Sequence, residues 1–407
     1  MSNGQKTTVF WGDNPTRIYM QAMFELLLKG KEVGPRGKLT KELRPVVIEY
    51  HNPLERVTFL KGRIINPFFQ LAESLWILAG RSDVEWLAKF NSGIAQFSDD
   101  GKFFNAPYGE RLRSWGKNDA SGFVFNPIDQ LHDCYLKLKQ DPDTRQAVAF
   151  IGDPRFDNSA YTLAGGKDIA CNINIKFKIR EGKLDITVDN RSNDLHWGTF
   201  GANLAQFSTI QEVMASWLGI PVGTYVQETD SLHIYLDEYG AKETEKVLKA
   251  YGYETDEDIY GSGVVPTTHT FSFDTEPRFS SDYDGFTDLV TYYFDVIDPM
   301  VTSEELYSDK TMWLPLLDEI STCPDRYLRM TFQSMFVKHA HNHKKFIPAI
   351  AGLKAMEDSS WKVSCLRFLS KTYASQDPNG YSLYPEFKSV YSHLHDDIKD
   401  YIERKEG

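Results

Sequence analysis

The chain has 407 residues, 41% hydrophobic, 14% aromatic and 25% charged, with a formal net charge of −12. That length suits one large domain plus a second unit, and an acidic chain with no long basic tract is a poor binder of polymeric nucleic acid. The four cysteines (Cys134, Cys171, Cys323, Cys365) form no CxxC pair, no apolar run reaches membrane-spanning length and no signal-peptide stretch opens the chain, so free thiols, a cytoplasmic location and no membrane partner are expected.

Residues 12–30 carry Ile18, Met20, Met23, Leu26, Leu27 and Leu28 at roughly helical spacing, and Gly30 with Gly34-Pro35-Arg36-Gly37 ends that helix. Residues 46–50 predict a short strand, and 66–79 a buried helix closed by Gly80. Glu73 sits inside this apolar helix, where a carboxylate is costly unless it is paired or lines a site. Residues 98–125 are rich in loop formers, 127–140 predict a helix ended by Asp141-Pro142, and 147–151 an apolar strand. Ile173, Ile175, Phe177 and Ile179 alternate with polar residues, Glu181-Gly182 turns the chain, and Leu184, Ile186 and Val188 return with the same period: a β-hairpin. A helix over 203–218 and a strand over 231–236 come next. Residues 252–285 are rich in Asp, Glu, Ser, Thr, Gly and Pro and read as a linker, and 286–402 as mostly helical. The expected organisation is a catalytic domain over 1–251, a linker over 252–285 and a helical extension over 286–407.

Cys171 and the run Arg191-Ser192-Asn193-Asp194 lie at the two ends of the hairpin. A guanidinium beside a thiol stabilises the thiolate, which is the nucleophile, and the same cation can hold a phosphate bidentately. A lone cysteine is more often structural; the Gly165-Gly166 loop before Cys171 and the strand end that presents it favour a cleft. Asn203 can be a helix cap, or an amide that reads a heterocycle's edge.

Taken together, Cys171, Arg191-Ser192-Asn193-Asp194, Gly198, Asn203 and His233-Ile234-Tyr235 match the order and nearly the spacing of the thymidylate synthase superfamily. Ala72-Glu73-Ser74-Leu75-Trp76, Pro107-Tyr108-Gly109 and Asp141-Pro142-Asp143-Thr144-Arg145 resemble its catalytic-glutamate, Tyr-Gly and arginine-turn motifs, so the likeness spans about residues 10–245. The resemblance implies an α+β fold with a large mixed sheet packed by helices. It implies that Cys171 adds to C6 of a pyrimidine nucleotide, with 5,10-methylenetetrahydrofolate as co-substrate and no metal. Glu73 and Tyr108 would manage protons and Asn203 would read the base. Arg36, Arg191 and Ser192 would bind the 5′-phosphate, with Arg145 supplied across a homodimer interface. His233 and Tyr235 would bind the sugar, and Asp194 and Trp76 the folate.

The departures discriminate within that superfamily. Asn172 stands where its members usually carry His, Lys176 where they carry Gln, and Gln146 for the second arginine of the turn. The segment from Trp197 to Asn203 is one residue longer. No tryptophan occurs between Trp86 and Trp115, and Ala95 falls where an indole is expected. The chain ends Glu-Arg-Lys-Glu-Gly instead of in an apolar closing tail. A synthase excludes water so that hydride quenches the methylene on C5; an opened site lets water add. The expectation is therefore a hydroxymethylase of the phage-like branch, and the Asn203 amide favours dUMP over dCMP. A thymidylate synthase, a dCMP or CMP hydroxymethylase and a silent binding subunit are the alternatives. Metal is not expected at His339, His341 and His343, nor calcium at Glu254, Asp256 and Asp258, and Gly165-Gly166-Lys167 is too short for a phosphate loop. Trp11, Trp313 and Trp361 are expected in a core or an interface.

Overall fold

The computed structural model describes residues 6–116, 126–158, 165–253 and 276–375, with positions 258, 273, 385 and 389. Most of the expected linker, Glu254 and Asp256 included, and most of the chain after 375 lie outside the described residues. Two compact units form: residues 1–63, 73–88 and 92–270, and residues 64–72, 89–91 and 271–407.

The first unit opens with β1 (Thr8–Gly12) and α1 (Pro15–Lys29). Asn14 caps α1 by accepting from the Arg17 N–H, Pro15 occupies its first turn, and Gly30 ends it. Then come β2 (Lys31–Val33), β3 (Thr40–Leu43), β4 (Val46–Tyr50), α2 (Pro67–Leu78), α3 (Val84–Ala88), α4 (Tyr108–Arg113), α5 (Gln130–Gln140), β5 (Val148–Phe150) and α6 (Pro154–Asp157). The expected hairpin is β6 (Asn172–Arg180) and β7 (Lys183–Asn190). Glu181 and Gly182, at φ 50° and 72°, make a two-residue turn whose twist matches the strands. After β8 (Asn193–Asp194) the chain winds through a π-helix (Leu195–Asn203) into α7 (Leu204–Leu218), β9 (Val222–Thr229), β10 (Leu232–Tyr235) and α8 (Glu238–Ala250).

Six strands form a mixed sheet in the order β1-β4-β9-β7-β6-β5, and four form a second sheet in the order β2-β3-β10-β8. Leu184, Ile186 and Val188 of β7 and Ile175 and Phe177 of β6 are buried, pairing Ile175 with Val188 and Phe177 with Ile186. Trp11, expected in a core or an interface, is not a core residue: on the edge strand β1 it is 64% exposed, its ring stacked on His51. Trp313 and Trp361 are buried.

Helix α7 packs on β7 and β9 and is buried almost all round, so its polar side chains need partners. Gln211 Nε2 donates to Leu184 O at 2.8 Å and Thr224 O at 3.2 Å. Arg56, 1% exposed, donates through Nη2 to Glu212 and through Nη1 to Thr209 Oγ1 at 2.9 Å.

The second unit is helical: α9 (Tyr283–Tyr292), α10 (Asp298–Val301), α11 (Lys310–Ser321), α12 (Arg326–Asn342), α13 (Phe346–Ala355) and α14 (Ser360–Ser375). Asp325 caps α12 and also accepts from the N–H groups of Ser280 and Ser281. Tyr293 stacks on Phe332 at 4.4 Å and Phe279 on Tyr327 at 4.2 Å. His339 and His341 lie on α12, where a spacing of two puts side chains on different faces. No helix among the described residues is long and apolar enough to cross a membrane.

Replacing Glu212 by Gln or Arg56 by Met leaves a buried charge without its counterion. Either change should lower the unfolding free energy by about 3–5 kcal/mol in urea titrations.

Candidate functional site

The hairpin's open end builds the site. Strand pairing runs out to Asn172 opposite Asn190, and one step further Arg191 N–H donates to Cys171 O at 3.0 Å. The Arg191 side chain then folds back over the same segment. Its Nε donates to Ala170 O at 2.8 Å and its Nη2 to Ile169 O at 3.0 Å, with Nη2 3.7 Å from Cys171 Sγ. The twenty-residue interval between thiol and guanidinium is the length of the hairpin.

Burial pushes the Cys171 thiol up from its ordinary value, and the charges of Arg191 and Arg36 pull it back toward ionisation while Asp168 opposes them. Arg36 is exposed, in a tight turn where it adopts φ 53°. Its charge also reaches Tyr235, whose hydroxyl is raised by burial and by Asp194. His233 pairs in register with Asp194 across β10 and β8 and packs edge-on against Tyr235 at 5.2 Å. Cys171, Arg191, Arg36, Asp194, His233 and Tyr235 therefore share one field, and Ser192 lies half-buried between Arg191 and Asn193.

Tyr108 clamps the backbone at Cys171 and Asn172. Its hydroxyl donates to Asn172 Oδ1 at 2.8 Å and accepts from the N–H groups of Cys171 and Asn172, each at 3.3 Å. Gly109 behind it is obligatory: a Cβ there would lie 2.6 Å from Arg81 O and 2.9 Å from Trp76 O. Asn172, in turn, donates to Asn190 Oδ1.

Glu73 is raised to about 7 by burial, opposed by a hydrogen bond with Gln206. Its Oε2 is buried with no hydrogen-bond partner among the described residues. Gln206 lies one turn beyond Asn203, so the carboxyl is tied to the helix that Asn203 leads. Asn203 is not a cap: it has helical dihedrals, its side chain makes no capping bond, and its Nδ2 donates to Asn193 Oδ1 at 3.1 Å. The segment before Asn203 winds as a π-helix over Leu195–Asn203 and runs directly into α7. Asp194 caps that π-helix through Oδ2, accepting from the Trp197 N–H, and its Oδ1 is buried and unpartnered among the described residues.

Three expected residues lie outside this cluster. Trp76 is 4% exposed and its indole N–H donates to Asp83 O at 3.0 Å, so the structure gives it a core role and not the expected open ring face for folate. Arg145 is exposed on the turn after α5. Ala95 is half-buried in the turn Ser92–Phe97, and Lys167 Nζ donates to the O of the next residue, Ser98, at 3.4 Å.

Sequence reasoning missed Asp168, Gln206, Gln227 and Arg63, and named the Asn193 amide only as part of the run after Arg191. Asp168 accepts from Ala106 N–H at 2.8 Å beside the thiol, and Arg63, 6% exposed, donates to His196 O at 2.8 Å under the π-helix. His196, bonded to Tyr19 at 2.6 Å and Thr244 at 3.0 Å, is held neutral by burial, down at about 3. The one legible signal was Gln206, three residues after Asn203 on a helix.

Residues 17–251 match the family model described as thymidylate synthase. The chain is 48% identical over 402 residues to a deoxyuridylate hydroxymethyltransferase of Bacillus phage SP01, covering 98% of this chain and 99% of that protein. A deoxyuridylate hydroxymethyltransferase of Pseudomonas phage M6 is 38% identical over 54% of this chain and 60% of its own length. A putative thymidylate synthase of Methanothermobacter marburgensis is 29% identical over 57% of this chain and 93% of its own length.

Two outcomes are expected from the electrostatics. The pH midpoint for Cys171 alkylation should lie above the ordinary thiol value of about 8.5, and Arg191→Ala should move it further up; an unchanged profile removes Arg191 from that role. Glu73 holds a proton in the folded state that the unfolded chain releases. Its contribution to stability is present below the unfolded value of about 4.3 and is lost as pH rises through about 7. In denaturant titrations Glu73→Gln should flatten that fall.

Proposed function

The chain belongs to the thymidylate synthase family, and from that premise we propose that it is a deoxyuridylate hydroxymethyltransferase. It would transfer a one-carbon unit from 5,10-methylenetetrahydrofolate to C5 of dUMP, with water completing the reaction. The observation that carries this reading is the likeness to the Bacillus phage SP01 protein, which runs through 98% of the chain, helical unit included. The likeness to the putative thymidylate synthase of Methanothermobacter marburgensis stops at 57%.

The donor groups fit both ligands. The buried, unpartnered Oδ1 of Asp194 can accept from a pterin N–H, with the half-exposed Trp197 ring beside it. Arg191 has its Nε and Nη2 engaged, which leaves Nη1 for the 5′-phosphate together with Ser192 and Arg36. His233 and Tyr235 would take the sugar hydroxyl, and Asn203 the uracil edge. Arg145, outside the cluster, would serve the phosphate of a second copy in a homodimer.

Bound folate supplies the one-carbon unit as an electrophile. Cys171 sulfur bonds to C6 and the displaced electron pair makes C5 the nucleophile. Glu73, poised near neutrality, accepts the C5 proton directly or through water, because a carboxyl raised to about 7 exists in both forms at physiological pH. Tyr108 has its hydrogen committed to Asn172, so it positions Cys171 and leaves proton transfer to Glu73. C5 would bond to the one-carbon unit, and with the C5 proton gone the carbon–nitrogen bond to the folate would break, tetrahydrofolate leaving with the electron pair and a methylene remaining on C5. Water would then add its oxygen to that methylene carbon and give up its proton to solvent, and the returning electron pair would expel the Cys171 sulfur and restore the ring. Ala95, standing where the resemblance puts an indole, would leave room for that water, although it lies outside the cluster around Cys171.

Incubation with dUMP and methylenetetrahydrofolate should give 5-hydroxymethyl-dUMP by mass. The appearance of dTMP with dihydrofolate in its place would overturn the reading. Cys171→Ala should abolish release of the C5 hydrogen, and Ala95→Trp should lower the hydroxymethyl product while that release continues.

A further inference from the structure

Behind Asn203 stands a chain of three buried amides. Asn203 Nδ2 donates to Asn193 Oδ1 at 3.1 Å, and Asn193 Nδ2 donates to Gln227 Oε1 at 2.9 Å. Asn203 is 6% exposed, Asn193 2% and Gln227 0%. The three come from separate elements: Asn203 closes the π-helix, Asn193 opens β8, and Gln227 lies on β9. Gly198 makes the slot for the middle member, since a Cβ there would lie 2.6 Å from Asn193 Oδ1.

Such a chain has a direction. A primary amide presents an acceptor at one end and donors at the other. If Asn203 alone turned over, its oxygen would face Asn193 Oδ1, so that acceptor would lose its donor and two buried acceptors would oppose each other. The sense of Asn203 is therefore set by Asn193, and that of Asn193 by Gln227. In the observed sense the Asn203 oxygen and its second N–H are left for a ligand. Uracil presents a donor at N3 and an acceptor at position 4, and cytosine presents the reverse pair. Turning the amide over exchanges which pyrimidine it fits.

We propose that Asn193 and Gln227 are specificity-determining positioning residues: they hold the Asn203 amide in one sense and thereby set uracil over cytosine. Neither touches the nucleotide. This rests on the reading of Asn203 as the group that meets the base edge. Selectivity is a difference between two affinities, so the relay acts on the ratio more than on either value. Gln227 Nε2 has no hydrogen-bond partner among the described residues, so only the oxygen of this amide serves the relay. Gln227→Glu keeps that acceptor and replaces only the unpartnered nitrogen. Gln227→Met keeps the bulk and removes the acceptor.

The test is titration calorimetry of dUMP and dCMP with the full chain. Gln227→Met should shrink the dUMP preference by about tenfold, the equivalent of one buried hydrogen bond of ~1.4 kcal/mol, and Gln227→Glu should retain it. If Gln227→Met does not fold, Gly198→Ala, which fills the slot of Asn193 Oδ1, should shift the ratio in the same direction. A merely structural role would weaken both nucleotides equally and leave the ratio unmoved, which would overturn the proposal. Asn203→Asp separates the two readings. If Asn203→Asp moves the preference toward dCMP while the Gln227 and Gly198 variants do not, the relay fails and the base reading stands. If Asn203→Asp leaves the ratio unchanged, the base reading fails and the relay falls with it.

Discussion

The site depends on a conflict at one sulfur atom. Burial disfavours the thiolate of Cys171, yet the thiolate is the nucleophilic form of any cysteine. Arg191 moderates the conflict by lying against the sulfur while its other donors bind the carbonyls of Ile169 and Ala170, so the cation cannot drift from the segment it serves. Arg36 adds a second positive charge from a different part of the chain. The geometry is a product of strand register: the open end of β6 and β7 sets Arg191 opposite Cys171. A one-residue slip would turn every side chain of a strand to the other face.

The remainder of the first unit holds polar groups in a place where they are costly. Helix α7 is buried on all sides, yet it carries Gln206, Thr209, Gln211 and Glu212. Arg56 answers Glu212 and Thr209, backbone carbonyls answer Gln211, and Gln206 meets Glu73. Glu73 Oε2 and Asp194 Oδ1 are two of the buried oxygens without a hydrogen-bond partner among the described residues, and proton transfer and folate binding are proposed at them.

A π-helix, not a continued α-helix, leads the chain from Asp194 to Asn203. One added residue between Trp197 and Asn203 would rotate the rest of a continued α-helix by about 100°. Winding Leu195–Asn203 as a π-helix sets Asn203 at the head of α7, within reach of Asn193. Asp194 caps its start and Arg63 ties its first turn through His196 O.

The amino-acid sequence alone determined the hairpin, because a period of two over Ile173–Ile179 and Leu184–Val188 with Glu181-Gly182 between them admits little else. It also determined α1 and α2, the pairing of Cys171 with Arg191, and the α+β class. Strand β9 escaped because its buried face carries Gly223, Tyr225, Gln227 and Thr229, so no apolar alternation marks it. Trp76 read as a ligand contact because an indole beside a key glutamate looks the same in sequence whether it faces a cleft or a core. Only the tertiary structure decided that it faces the core, that Tyr108 clamps a backbone, and that Asn203 leans on Asn193 and Gln227. Those are hydrogen bonds between residues up to 64 positions apart, and such pairings have no period and no local composition from which to read them.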